Sequence, residues 1–110
     1  VSAPHAAVDF ILKNAPSFAA AKAKRVQLEE FRKIKKALLM SEALKMGTEA
    51  ANAQERYAYG HADYKEVVDG LAAAIEAEVC LLWQMEAAKI RCDIWRTEEA
   101  TNRMTDRATQ

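Results

Sequence analysis

Apolar residues recur along this chain at the three-and-four spacing of amphipathic helices. Between residues 15 and 46 the stripe reads Leu28, Phe31, Ile34, Leu38, Leu39 and Met46. Between 64 and 82 it reads Tyr64, Val67, Val68, Leu71, Ile75 and Leu82. Helix breakers divide the pattern into few, long pieces. Residues 1–14 are expected to form an N-terminal arm or short helix, capped by Ser2, with Pro4 in its first turn and Val8, Ile11 and Leu12 as a small apolar patch. Asn14 and Pro16 then restart the chain as a long helix over 15–46, closed by Gly47 as its C′ residue. Thr48 is placed to cap a short helix over 49–59, ended by Gly60. A second long helix covers 62–106, with Gly70 as a kink or a close backbone approach.

From residue 79 the pattern changes. On a helical projection Leu81, Met85, Ala88, Cys92 and Trp95 fall on one face. Val79, Trp83, Ala87, Ile90 and Ile94 fall on another, roughly opposite. Polar strips separate them: Glu86, Lys89, Asp93 and Arg96 on one side, Gln84 and Arg91 on the other. A helix with two apolar faces is sandwiched between two neighbours. The other long helix covers one face, and the three apolar residues of the arm are too few for the other. The pattern therefore predicts an all-α protein: a long helical hairpin (long–short–long) with a short N-terminal helix, self-associating into a helical bundle as a homodimer. Val79, Trp83, Ala87, Ile90 and Ile94 are the candidate dimer interface.

Composition supports few, long helices. Hydrophobic residues make up 51% of the 110, and only three Gly and two Pro punctuate them. That length suits one domain with one core. Formal net charge is zero but unevenly spread. Residues 1–48 carry nine Lys/Arg against four Asp/Glu; residues 49–110 carry seven against twelve. Halves of opposite sign are expected to pack on each other.

The densest charge cluster is Lys22, Arg25, Arg32, Lys33 and Lys36, interrupted by Glu29 and lying away from the apolar stripe. A solvated face is the ordinary reading of such a strip. Contact with nucleic-acid phosphates or an acidic protein surface is the alternative. Tyr57, Tyr59, His61 and Tyr64 gather at the junction before the last helix, where packing is expected.

Catalytic patterns are missing. Cys80 and Cys92 lie within one predicted helix, about 18 Å apart, beyond disulfide reach and in no zinc pattern. His5 and His61 lack the spacing of a metal pair. No nucleophile motif or glycine-rich phosphate loop occurs, so a non-enzymatic protein without cofactors is expected. No signal-peptide pattern and no run of 18 apolar residues is evident, which predicts a cytoplasmic protein without membrane contact.

Leu28-Glu-Glu-Phe-Arg-Lys33, Lys36-Ala-Leu-Leu-Met40 and Ile94-Trp-Arg-Thr-Glu-Glu-Ala-Thr-Asn-Arg103, with the Tyr57–Tyr64 junction, resemble small helical proteins of temperate phages and prophages. The resemblance spans about residues 14–104 and supplies no catalytic residues. It implies a bacterial host cell as the setting and a host or phage protein as partner. As the alternative function it implies a nucleic-acid-binding accessory in phage recombination or replication.

Overall fold

The computed structural model describes residues 3–109. They form α1 (Ala3–Lys45), α2 (Ala51–Gly60) and α3 (Ala62–Thr109), and no strand occurs among them. The long–short–long order matches the pattern of apolar residues and breakers.

The main difference lies at the first boundary, while α2 begins two residues later than expected, at Ala51. The arm and the first long helix are a single helix, and α1 runs through Pro16. Proline removes the N–H that would bond the Leu12 carbonyl, normally enough to end a helix. Here strong helix formers flank it, namely Ala15, Ala19, Ala20, Ala21 and Ala23, and the ring lies at an exposed position. Asn14 does not restart the chain; its side-chain amide donates to the Phe10 carbonyl at 2.8 Å, one turn back. The expected cap at Ser2 lies outside the described residues. At the other end α3 continues past residue 106 to Thr109.

The linker between α1 and α2 is built as expected at Gly47 but not at Thr48. Gly47 has φ of 101°, the left-handed region that favours glycine. Thr48 N donates to the Ala43 carbonyl at 2.9 Å and Gly47 N to the Leu44 carbonyl at 3.0 Å, the paired bonds of a Schellman closure. Thr48 is thus the outermost residue of the α1 stop, too early to cap α2. Ala50 takes the N-cap position without a side-chain bond. Gln54 reaches back instead, donating through Nε2 to the carbonyls of Thr48 at 2.9 Å and Glu49 at 3.3 Å. At the start of α3, His61 has extended backbone and its Nδ1 accepts from Asp63 N at 3.0 Å. That bond satisfies one of the free N–H groups of the helix start.

Contacts within the chain fall into two units, one of residues 20–78 and one of residues 3–19 with 79–109. In the first, the α1 and α3 segments run antiparallel, with Arg25 meeting Glu78 and Lys35 meeting Asp63. Its buried residues are Leu39, Ala43, Ala58, Val67, Leu71 and Ala74. In the second, Ala7 and Ala88 are buried, and Cys92 Sγ lies 3.9 Å from the Pro4 carbonyl oxygen.

Alanine supplies five of the eight buried apolar residues among those described, and much of the expected stripes lies outside them. Small side chains at a contact let helix axes come together, while bulkier neighbours a quarter-turn away are left at the margin. On α1 Leu39 is buried and Leu28 half-buried, but Phe31, Ile34 and Leu38 are exposed, as is Met46 just beyond the helix end. On α3 Val67 and Leu71 are buried and Tyr64 is half-buried, whereas Val68, Ile75 and Leu82 sit on the edge, more than a third exposed. Of the arm's apolar patch, Ile11 is half-buried while Val8 and Leu12 face outward. Gly70 is neither a break nor a close approach: α3 passes through it, and a Cβ built there meets nothing within 4 Å.

Candidate interaction surfaces

The two apolar faces of α3 beyond residue 79 have different fates. Ala88 is buried and Leu81, Met85 and Cys92 are half-buried; Trp95, at the end of that face, is 40% exposed. The segment facing them is the N-terminal part of α1, which the sequence pattern had treated as a separate arm. On the second face the candidate interface residues are exposed together: Val79 at 42%, Trp83 at 65%, Ile90 at 52% and Ile94 at 54%, with Ala87 exposed between them. One helix therefore presents a tryptophan and three β-branched residues on a single line to solvent.

Two shallow depressions border this line. A groove of about 390 Å³ lies between Ala6, Ala7 and Phe10 on α1 and Gln84, Ala87, Ala88 and Arg91 on α3. A notch of about 280 Å³ is lined by Ile90, Asp93, Ile94, Thr97 and Glu98. Along its polar edge, Lys89 pairs with Glu86 at 3.2 Å and Arg96 with Asp93 at 3.8 Å, each one turn apart.

The basic strip is divided. Arg25 forms a two-pronged contact with the Glu78 carboxylate, through Nε to Oε2 and through Nη2 to Oε1 at 3.3 Å, while Nη1 reaches Glu29 at 3.0 Å. These bonds, first to Glu78 and then to Glu29, hold its pKa above the ordinary value. Lys36 lies 4.8 Å from the centre of the Tyr59 ring and 3.5 Å from Glu55. Its pKa is raised too, chiefly by the Tyr59 hydroxyl and then by the Glu55 charge. Lys33 pairs only along its own helix, with Glu30 at 3.2 Å. Among the described residues Lys22 and Arg32 make no ion pair; Lys22 is exposed and Arg32 half-buried. The five cations thus do not form one free face. Arg25 and Lys36, with Lys35 and its 3.9 Å approach to Asp63, join the basic α1 to the acidic half of the chain. The opposed charges of the halves are used inside the unit of residues 20–78.

No family model, curated protein or solved structure matches this chain. The surfaces themselves must carry the functional reading.

The tyrosine junction is packed edge-to-face. Tyr57 meets His61 at 5.6 Å between ring centres, and Tyr59 meets Tyr64 at 5.3 Å. Burial pushes the Tyr57 hydroxyl above its ordinary pKa, and the Glu42 carboxylate adds to the shift. Cys80 is exposed, with its sulfur 3.8 Å from Gln84 Nε2, and is not bonded to Cys92. Among the described residues, no group of three or more His, Cys, Asp or Glu could hold a metal ion, and no helix is long and apolar enough to cross a membrane.

One surface escaped the sequence reading. Phe31, Ile34 and Leu38 form an exposed apolar line on α1, expected to be core because their spacing is that of a packed stripe. The alanines at 43, 58 and 74 were the available signal, since they mark where helices can approach most closely.

Proposed function

We propose that this chain is a non-enzymatic protein-interaction module that works as a homodimeric helical bundle, joined through Val79, Trp83, Ala87, Ile90 and Ile94. The exposure of that line is the observation that carries the reading. A contiguous apolar face of this kind on a folded protein marks an interaction site. Trp83 is its anchor, since large aromatics dominate contact energetics.

A second copy of the chain is the simplest partner because it carries the same face.

The resemblance of residues 28–40 and 94–103 to small helical phage and prophage proteins favours a bacterial cytoplasm as the setting, with a host or phage protein as further partner. Nucleic-acid contact has less to stand on. Three of the five cations on the candidate strip, Arg25, Lys33 and Lys36, already have carboxylate partners within the chain.

Light scattering at increasing concentration tests the dimer. A mass of about 25 kDa is expected, twice the 12.3 kDa of one chain. Trp83→Asp or Ile90→Asp should bring it down toward a single chain. A wild-type monomer at high concentration overturns the proposal.

A further inference from the structure

The exposed line on α3 also specifies how a second copy would sit, an inference that rests on the dimer proposed above. The residues read Val79, Trp83, Ala87, Ile90 and Ile94, medium–large–small–medium–medium around a central alanine. Laid antiparallel on itself about Ala87, the line brings Trp83 of each copy within one residue's rise of Ile90 of the other, and Val79 within one of Ile94. Every layer then holds one larger and one smaller side chain, except the centre, where two alanines let the helices approach. Laid parallel, the line would stack Trp83 on Trp83 and Ala87 on Ala87, overfilling one layer and leaving a void in the next.

The notch between Ile90 and Ile94 gives an independent reason for the same register. A long side chain on a helix leans toward the N-terminus and covers the turn before its own Cα. The Trp83 ring therefore lies over the turn near residue 80. In an antiparallel pair centred on Ala87, that turn faces residues 93 and 94 of the other copy. Those two residues line the notch, together with Ile90, Thr97 and Glu98. The notch is shallow with an apolar floor for an indole to lie on, and the carboxylates of Asp93 and Glu98 border it as acceptors for the indole N–H, which seeks a partner when buried.

Charge agrees. Along the edge of the line, Glu86 and Lys89 pair within each copy, and an antiparallel pair in this register sets the two ion pairs side by side with Glu86 of one copy next to Lys89 of the other, so that no like charges are opposed there.

We infer that two copies pair antiparallel across a two-fold axis at Ala87, each seating its Trp83 in the notch formed by Ile90, Asp93, Ile94, Thr97 and Glu98 of the other. Cys80 then lies some 20 Å along the axis from its equivalent, so it forms no bridge between copies.

Disulfide trapping reads this register directly. In a Cys80→Ser, Cys92→Ala background, light scattering first reports whether a dimer forms, and a monomer there defeats the dimer itself. Given a dimer, Ala87→Cys copies should cross-link on mild oxidation. Val79→Cys copies alone should not, nor Ile94→Cys copies alone, but a mixture of the two should. Cross-linking of Val79→Cys copies alone, or failure of both Ala87→Cys and the mixture, overturns the antiparallel register while leaving the dimer intact. In the same background with Trp95→Phe, Trp83 emission should shift to the red on dilution below the dissociation range. Emission of a solvent-exposed indole throughout, in a sample that scatters as a dimer, overturns the seating of Trp83.

Discussion

Gly70 shows how local space decides the sign of a substitution. It lies inside α3 with helical backbone on both sides, and a Cβ there would touch nothing. Glycine in a helix interior gives up more backbone freedom on folding than alanine does. Gly70→Ala should therefore stabilise the protein by about 1 kcal/mol, read from the midpoint of chemical unfolding. A loss of stability would mean that the space beside Gly70 is occupied in solution. From sequence alone the same glycine, beside Ala72, Ala73 and Ala74, read as a close helix contact. What the neighbouring helix leaves empty is a matter of tertiary geometry, and no local pattern encodes it. Gly47 is the opposite case. Its role as a helix stop was legible, because a glycine after a long periodic run has few other uses.

At the scale of elements, α1 carries a proline that its length tolerates. Ala15 precedes Pro16 and Ala19, Ala20, Ala21 and Ala23 follow within two turns, and Asn14 adds a side-chain bond to the Phe10 carbonyl. The missing N–H still leaves the Leu12 carbonyl without its i+4 donor, and the ring strains the turn before it. Pro16→Ala should restore the bond and stabilise the protein by up to ~3 kcal/mol. Thermal unfolding by circular dichroism measures this, and an unchanged midpoint would show that the turn has already adapted to proline. The break expected at Asn14–Pro16 failed because propensity over some forty residues outweighed one poor position. The helical type of the elements, their long–short–long order, the Gly47 stop and the start of α3 were readable from breakers and periodicity. The burial of the stripes was not. Phe31, Ile34 and Leu38 have core spacing yet lie outside, while Leu39, Ala43, Ala58 and Ala74 are buried. The candidate site was legible in kind, as a second apolar face at 79–94. What covers the opposite face was not legible: the N-terminal part of α1, expected as a separate arm too small for the task, lies against Ala88 and Cys92.

For the molecule as a whole, the balance of buried and exposed apolar groups bears on how it folds. Five of the eight buried core residues are alanines, and no large side chain among the described residues is wholly buried. An alanine-lined core removes little apolar area from water, while ordering each residue costs on the order of 1–2 kcal/mol of chain entropy. Small helical proteins in this position depend on association to complete their stability. If the faces at Val79–Ile94 join two copies, unfolding is coupled to dissociation and the melting temperature depends on protein concentration. Each tenfold increase should raise it by on the order of 3 °C, given an unfolding enthalpy proportional to two chains of this length. Trp83→Asp should lower the melting temperature and flatten that dependence, because a charge on the contact line has no partner to neutralise it. A wild-type transition that stays at one temperature over a hundredfold range of concentration would locate the stabilising energy within the single chain. The apolar line on α3 would then have to serve a different partner.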